Sequence, residues 1–236
     1  MCLSPLSKTM PAPALALFDI DGTLLRRAGR HHKLALIDSV RQATGCVASL
    51  DEIPTQGMLD CDLLRLLLAQ TGLPVPEIEA KLPQLIEAAQ ESYLSGSPDD
   101  LRSSVCPGVV SLLDELARHG IATGLVTGNL SAIGWRKMEL AGLRAHFTFG
   151  AFAEHGETRA VLAAIAIREA RRKAVVSESS RISLIGDHPN DIRAARANGI
   201  QAIATATGLS TREELLAEGP DILVGDLTEL APAQLL

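Results

Sequence analysis

The amino-acid sequence predicts an α/β fold, a doubly wound parallel sheet interrupted once by an inserted group of helices. Three observations lead to this prediction. Residues 14–18 form an apolar run typical of a buried strand, residues 30–94 carry apolar residues at the spacings of helices, and strand and helix patterns alternate after Val109. Such alternation is typical of parallel strands joined by helices that cover both faces of the sheet.

The composition limits the classes of function. With 236 residues, the chain is long enough for one buried core and an insertion. It is 47% hydrophobic and 21% charged with a net charge of -6, which is typical of a globular protein that lacks a basic surface for nucleic acid. We therefore expect no nucleic-acid partner, and a small anionic substrate would need a local positive site.

The cysteine pattern and the first residues indicate a cytoplasmic protein. The chain has four scattered cysteines: Cys2, Cys46, Cys61 and Cys106. Their spacing builds neither a zinc site nor a C-x-x-C pair, so we expect reduced thiols. No export signal and no stretch of membrane-spanning length is present, and no membrane partner is expected. Residues 1–13 are predicted to be a disordered tail, with Met10 as an alternative translation start.

The insertion is predicted to contain three helices. Their ranges are residues 30–44, 58–71 and 76–94. Gly and Pro residues separate them, and Pro107-Gly108 marks the return to the main domain. We place the insertion at residues 27–103 and the α/β core at residues 14–26 and 104–236.

The core elements follow in order along the chain. Predicted helices cover residues 109–119, 130–141, 158–173 and 191–198. Predicted strands cover residues 121–126 and 182–185, with short strands near Phe147, Ala202 and Ile222. Because ligands of open parallel sheets bind beyond the carboxyl ends of the strands, we expect the functional residues to lie at these ends.

Two acids come directly after the first strand. Asp19 suits a nucleophile that attacks a phosphate monoester and forms an aspartyl-phosphate. Asp21, two residues on and on the same side if the strand persists, suits the group that protonates the leaving alcohol and later deprotonates water. Gly22 allows the tight turn that follows. An Asp-x-Asp-Gly sequence alone is also typical of a simple turn, so further motifs decide its meaning.

Further motifs follow three later strands or begin the next helix. They are Thr127-Gly128-Asn129, Arg159 and the Gly186-Asp187-x-x-x-Asp191 cluster. The combination D-x-D-G-T, T-G-N and G-D-x-x-x-D resembles the haloacid dehalogenase-like hydrolase superfamily from Ala14 onward. The helical insertion after the first motif is similar to the phosphoglycolate phosphatase-like branch with a helical cap. The resemblance implies a Rossmann-like core and the role of nucleophile for Asp19.

Carboxylates crowded around a phosphate repel it unless a cation lies between them, and a hard dication with oxygen ligands suits this place. We therefore expect Mg²⁺. The resemblance implies as ligands a carboxylate oxygen of Asp19, the backbone carbonyl of Asp21 and a carboxylate oxygen of Asp187. Asp191 would lie outside these direct ligands and support them, and Asn190 is a weaker candidate for the same role.

The substrate phosphate is expected to bind to the second and third motifs. The Thr127 hydroxyl and the amides of Gly128 and Asn129 would form an anion site at a helix start. The family usually has a lysine at the third motif, and the matching residue here is Arg159. An arginine stays charged and binds phosphate through two bonds, so the role can survive the change. Lys137 and Lys173 are competing cations.

Several other polar residues could have either a structural or a functional role. His188 is interpreted first as a surface or capping residue, and the group of Arg26, Arg27, His31 and His32 first as a polar linker. Residues 55–60, a loop before a helix, either form a capping turn or face the catalytic centre.

The sequence therefore predicts a Mg²⁺-dependent phosphatase that hydrolyses a small phosphorylated metabolite, phosphoglycolate-like or a sugar phosphate. Three alternatives use the same fold. A phosphosugar mutase would use the same residues, a haloacid dehalogenase needs neither a metal nor the second acid Asp21, and a catalytically silent binding module would have lost a core acid. The identity of the substrate and the choice between monomer and homodimer stay open.

Overall fold

A central sheet of six strands organises the protein. The structure is a computed structural model and describes residues 10–26, 30–51 and 53–236. The strands are β1 (Ala12–Phe18), β2 (Ala122–Val126), β3 (Gly150–Ala151), β4 (Val176–Gly186), β5 (Gln201–Thr205) and β6 (Ile222–Val224). Their order is β3-β2-β1-β4-β5-β6, and every neighbouring pair is parallel.

Helices connect the strands and cover the sheet. Three lie between β1 and β2: α1 (His31–Thr44), α2 (Asp60–Ala69) and α3 (Val75–Gly96). Five follow: α4 (Val109–Arg118), α5 (Ser131–Leu140), α6 (Arg159–Arg172), α7 (Pro189–Ala197) and α8 (Arg212–Ala217). The predicted α/β class and doubly wound parallel sheet are thus confirmed. Within the described ranges, none of these helices combines the length and the apolar character needed to cross a membrane.

The strand β1 is buried on both faces, which explains its continuous apolar run. Leu15 and Leu17 belong to one buried cluster, and Ala14, Ala16 and Phe18 belong to the cluster on the other face. Alternate residues of a strand point to opposite faces, so a strand covered on both sides needs apolar residues at every position.

The strand register sets the position of the residues after each strand. Phe18, the last residue of β1, lies opposite Leu125 of β2 and Ile185 of β4. Asp19, Thr127 and Asp187 follow within two residues of these positions. The parallel pairing therefore brings the first, second and fourth motifs to one edge of the sheet.

The helices α1, α2 and α3 pack on one another above this edge. Leu36, Leu64 and Leu85, one from each helix, are buried in a cluster that also contains Leu17 of β1 and Leu130 before α5. The inserted helices therefore share an apolar cluster with one face of the sheet.

Four elements differ from the sequence prediction. The third strand lies at Gly150–Ala151 and not near Phe147, whose ring packs edge-to-face on Phe18 at 6.0 Å. The strand β4 begins at Val176, six residues earlier than expected, and α8 was not predicted. The first strand begins at Ala12, inside the expected tail, and residues 1–9 of that tail lie outside the described residues.

We predict that Leu17→Ala destabilises the fold, because Leu17 is fully buried in the central strand. The free energy of unfolding should fall by about 2–5 kcal/mol, measured by urea denaturation. Leu216→Ala is the matched control, since that side chain is 54% exposed, and its effect should stay within about 0.5 kcal/mol. Equal losses in the two variants would contradict the central position of β1.

Candidate active site

A tight turn after β1 carries the first motif. The Asp19 N–H donates to the Ile185 carbonyl of the neighbouring strand at 3.0 Å, and the chain then turns through Gly22 with φ +93°. A Cβ at Gly22 would lie 2.2 Å from the Asp187 carboxylate. Glycine is therefore required both for the backbone conformation and for the close approach of Asp187.

Three acids form a buried cluster at this edge. Carboxylate oxygens of Asp19, Asp187 and Asp191 all lie within 4.8 Å of one another. Burial raises the pKa of Asp19 to about 7 against the opposing charge of Arg159, and Asp191 adds to the rise. Burial and the charges of Asp19 and Asp191 raise the pKa of Asp187 well above its usual value. Burial also raises the pKa of Asp191. The cluster thus holds more negative charge than its surroundings neutralise.

Arg159, the first residue of α6, is the cation within this cluster. Its Nη1 donates to Asp19 Oδ1 at 2.9 Å and to the Val126 carbonyl at 3.2 Å. Its Nε lies 3.2 Å from Asp191 Oδ1 without the alignment of a hydrogen bond. Arg159 therefore bridges two acids, whereas Lys173 is 44% exposed and pairs with Glu169 at the end of α6.

Asp21 has different surroundings from Asp19, although only one residue separates them. The strand ends at Phe18, so the strand alternation does not continue to Asp21. Lys137 Nζ of α5 donates to both Asp21 oxygens at 2.8 and 2.6 Å, and 42% of the Asp21 side chain remains exposed. Burial raises the pKa of Asp21, but the charges of Lys137 and His32 and the hydrogen bonds from Lys137 and Asn129 together outweigh burial and hold the pKa below its usual value. Each of the two acids thus has a cation of its own.

The second motif differs in part from the predicted anion site. The Asn129 N–H donates to the Thr127 hydroxyl at 3.3 Å, and the Asn129 side-chain amide donates to Thr127 at 2.7 Å and to Asp21 at 2.8 Å. Among the described residues, the Gly128 N–H has no hydrogen-bond partner. The Gly128 amide is therefore available to an anion, while the Asn129 amide is already engaged.

Other side chains occupy the amides at the start of α5. Leu130, Ser131 and Ala132 donate their N–H groups to Asp60, Glu154 and Gln90 respectively, at 2.8 to 3.2 Å. Asn129 is not the cap of this helix, because the cap position is Leu130. Within the described residues, the backbone amide that stays free here is therefore that of Gly128 in the loop after β2. The first amides of α5 are already hydrogen-bonded.

Three residues that the sequence analysis did not select complete the turn. Thr23 donates to Asp187 Oδ1 at 3.0 Å, and Thr207 donates to the Gly22 carbonyl. A Cβ at Gly208 would lie 1.7 Å from Asp187 Oδ2. Thr207 and Gly208 follow β5, so their place after a further parallel strand was the signal that could have identified them.

The loop 55–60 and α1 close over these residues. The Gly57 carbonyl accepts from the Asn190 side-chain amide at 2.9 Å, so Asn190 is directed to this loop and not to the acid cluster. A Cβ at Gly128 would lie 2.4 Å from the Met58 carbonyl oxygen. His32 Nε2 lies 2.8 Å from Asp60 Oδ2, and His32 Nδ1 lies 3.1 Å from Lys137 Nζ. Residues 55–60 therefore face the candidate site.

The remaining histidine and arginine candidates lie in different parts of the structure. His188 is the cap of α7, accepting from the Asn190 N–H at 3.2 Å, which agrees with its interpretation as a capping residue. Arg26 borders the cavity described below, and Arg27 lies outside the described residues. His31 begins α1 and carries a buried Nδ1 that has no partner in the described part of the chain.

A cavity of about 550 Å³ separates the motifs from the inserted helices. Asp19, Asp21 and Asp187 border it on one side, and the loop 55–60 borders it on the other. This volume is typical of sites for small molecules. When all three carboxyl groups are ionised, one guanidinium leaves two negative charges uncompensated, and this excess adds to burial in raising the pKa values of Asp19 and Asp187. A cluster of hard oxygen donors with this charge fits a divalent metal ion.

Comparison with known proteins agrees with the motifs. Residues 13–199 match the family described as haloacid dehalogenase-like hydrolase. A phosphoglycolate phosphatase from Agrobacterium fabrum is 27% identical over 232 residues, which cover 94% of this chain and 93% of that protein. A phosphoglycolate phosphatase from Caulobacter vibrioides is 26% identical over 234 residues, covering 93% of this chain and 90% of that protein.

Among solved structures, β-phosphoglucomutase from Clostridium difficile superposes with a TM-score of 0.71 at 18% identity, covering 94% of this chain and 95% of that one. This similarity shows the fold alone. Since the family match spans most of the chain, the resemblance inferred from the motifs is confirmed, and the chain belongs to the haloacid dehalogenase-like hydrolase family, in its phosphoglycolate phosphatase-like branch.

Proposed function

We propose that this chain is a Mg²⁺-dependent phosphatase that hydrolyses a small phosphorylated metabolite through an aspartyl-phosphate on Asp19. The observation that carries the proposal is the contrast between two acids one residue apart. Asp19 is buried beside Arg159 in the acid cluster, whereas Asp21 is partly open to the cavity and pairs with Lys137. The buried position of Asp19 suits a group that attacks a phosphate held at the acid cluster, and the position of Asp21 at the cavity suits a group that reaches the leaving oxygen.

The two acids divide the reaction into two steps. An Asp19 oxygen attacks phosphorus, the bond from phosphorus to the substrate oxygen breaks, and the protonated form of Asp21 supplies the proton that this leaving oxygen takes up. Because Lys137 favours the ionised form of Asp21, the negative charge of the bound phosphate would have to raise the pKa of Asp21 and bring in this proton. A water molecule then attacks the aspartyl-phosphate, Asp21 takes the proton of that water, and inorganic phosphate and free Asp19 are regenerated. Each step uses one proton, so Asp21 ends the cycle in its starting state.

Arg159 and the second motif bind the phosphoryl oxygens in this proposal. Arg159 already donates to Asp19, so its guanidinium lies beside the atom that would attack. The Thr127 hydroxyl and the Gly128 amide lie at the end of the neighbouring strand, and the Gly128 N–H is available. Positive and dipolar groups fixed at this place would stabilise charge that develops in the transition state.

The metal would be held by the acid cluster. Asp19 and Asp187 would bind Mg²⁺ through carboxylate oxygens and Asp21 through its backbone carbonyl, with Asp191 behind them. When bound, Mg²⁺ would neutralise the charge between the carboxylates and the phosphoryl group. Thr23 holds Asp187 in place through its hydroxyl.

Residues 27–103 would act as the helical cap of the site. The cavity between them and the core is large enough for a small metabolite such as phosphoglycolate or a sugar phosphate, and its border includes Arg26, Lys33 and Gln56. These side chains belong to the inserted region or its edge. Substrate choice would therefore depend on the insertion, and phosphoryl transfer on the core.

The alternative reactions receive less support. A haloacid dehalogenase does not need Asp21, yet this acid borders the cavity and has its own buried cation. A silent binding module would not need Asp19, Asp187 and Asp191 in one buried cluster. A phosphosugar mutase remains the second candidate, since the fold is that of β-phosphoglucomutase as well.

A panel of phosphorylated metabolites, assayed with Mg²⁺, tests the function. We expect the wild-type protein to release inorganic phosphate from at least one member and from p-nitrophenyl phosphate. Asp19→Asn should abolish release because an amide oxygen is a poor nucleophile, while circular dichroism shows an intact fold. Retained activity would contradict the nucleophile assignment. Conversion of a sugar phosphate to its isomer without phosphate release would indicate the mutase.

Removal of the metal should stop the reaction. We expect EDTA to abolish phosphate release and excess Mg²⁺ to restore it. Mg²⁺ should also raise the Tm of the metal-free protein, and Asp187→Asn should reduce this shift because the cluster loses one charged ligand. Asp99→Asn changes an exposed aspartate far along the chain from the cluster and serves as the control. Activity that is indifferent to EDTA would contradict the metal assignment.

Arg159 would bind the phosphate group through its guanidinium. Inorganic phosphate should inhibit as a product, and Arg159→Ala should weaken this inhibition on the order of 10- to 100-fold because a charged hydrogen-bond donor is lost. Arg159→Lys keeps the charge and should weaken it less. Arg168→Ala on the exposed side of the same helix is the control. Equal and negligible effects of the two Arg159 variants would point to Lys137 as the phosphate-binding cation.

A further inference from the structure

Lys137 has a buried position that phosphate binding does not explain. Its side chain is 1% exposed, although it carries a charge. The ammonium donates to the two Asp21 oxygens and to Asn129 Oδ1 at 2.6 Å, and it faces His32 Nδ1 at 3.1 Å. An ammonium has three hydrogens for these four acceptors, so at least one hydrogen is shared between two of them and none is left over. Lys137 therefore has no donor left for a substrate, and its partner is Asp21.

The contacts continue from Lys137 to the inserted helices. Because an ammonium only donates, the His32 Nδ1 that faces it accepts, and the ring hydrogen on Nε2 is directed to Asp60 Oδ2 at 2.8 Å. Asp60 Oδ2 also accepts the Leu130 N–H at 2.8 Å, and the Asp60 N–H donates to the Gly128 carbonyl at 2.8 Å.

This set of contacts forms a closed path through three helices. It starts at Lys137 of α5, passes through His32 of α1 and Asp60 of α2, and returns to Leu130 at the start of α5. His32 and Asp60 lie at the first turns of their helices, so their positions follow those of α1 and α2. The hydrogen bonds on Lys137 therefore depend on how these inserted helices pack on the core.

The path has a consequence for Asp21, whose side chain is partly exposed to the cavity. A carboxylate in a loop can rotate freely unless neighbours fix it, and here Lys137 and Asn129 hold both of its oxygens. We infer that Lys137 is a positioning residue that, with His32 and Asp60, orients Asp21 for proton exchange with the substrate when α1 and α2 are packed on the core. This inference rests on the proposed function, because it concerns the role of Asp21 in that reaction.

Leaving-group dependence tests this inference. An alkyl phosphate needs a proton on its leaving oxygen, whereas p-nitrophenolate leaves without one. Lys137→Met keeps the chain length and removes the charge. We expect it to lower kcat/KM for phosphoglycolate, or for the fastest alkyl phosphate of the panel, on the order of 10- to 100-fold. The kcat/KM for p-nitrophenyl phosphate should change by less than about threefold, since no general acid is needed there.

Two further variants separate positioning from general damage. Lys137→Arg keeps a buried donor and should recover part of the activity on the alkyl phosphate. Lys173→Met removes an exposed lysine of α6 and should leave both substrates unaffected. If Lys137→Met does not fold, His32→Ala replaces it, because His32 is partly exposed and its loss removes the link between Lys137 and Asp60. The same selective loss is then expected. Where both single variants fold, their losses in the double variant should not multiply.

The outcomes are distinct. Equal losses on the alkyl and aryl phosphates would overturn the inference and indicate a general structural role. A rise in KM with unchanged kcat would overturn it in favour of phosphate binding by Lys137. A selective loss on the alkyl phosphate supports it. Wild-type protein that hydrolyses neither substrate would overturn the proposed function itself, and this inference with it.

Discussion

Repulsion among carboxylates is the constraint on which the arrangement of this molecule depends. Asp19, Asp187 and Asp191 bring oxygens within 4.8 Å of one another in a buried place. Two unit charges 4 Å apart repel by about 4 kcal/mol at an effective dielectric constant near 20. Such a cluster persists only if rigid elements hold its members. The parallel strands β1 and β4 and the helix α7 do this, because buried apolar side chains such as Phe18, Ile185 and Ile192 hold them in place beside the acids.

The two positive side chains relieve this repulsion in separate places. Arg159 lies between Asp19 and Asp191, and Lys137 lies on the other side of Asp21. If the strand continued through Asp21, both acids would face the same neighbours. It ends at Phe18 instead, and the turn that follows directs Asp21 toward α5. The different surroundings of the two acids are thus a consequence of where the strand stops.

The sequence predicted the features that depend on local pattern and strand order. The apolar run of β1 and the acids that follow β1 and β4 predicted the fold and the four acids that the structure brings to the candidate site, Asp19, Asp21, Asp187 and Asp191. The strand β3 was misplaced because two residues carry no periodic signal. The helix α8 was missed although Thr211 and Glu214 form a capping box, a signal that was present in the sequence.

The sequence pattern could not predict contacts between residues that lie far apart in the chain. Lys137 was a candidate cation, but its partner lies 116 positions away, and only the packing of α5 against the turn after β1 brings them together. The same holds for Asp60, which receives the Leu130 N–H across 70 positions. Helical spacing predicts which residues share a face of a helix, and it does not predict which element that face meets.

Arginine at the third motif changes the connections of the site as well as the identity of its cation. The planar guanidinium reaches Asp19 through Nη1 and approaches Asp191 through Nε, whereas an ammonium concentrates its charge at one atom. Burial lowers the pKa of Arg159, but the charges of Asp19 and Asp191 outweigh it and raise that pKa further, so the group stays charged. Because Asp191 belongs to α7 and Asp19 follows β1, Arg159 ties the candidate nucleophile to the helix that carries the outer acid. A change in the position of either acid would therefore be transmitted to the other through this one side chain.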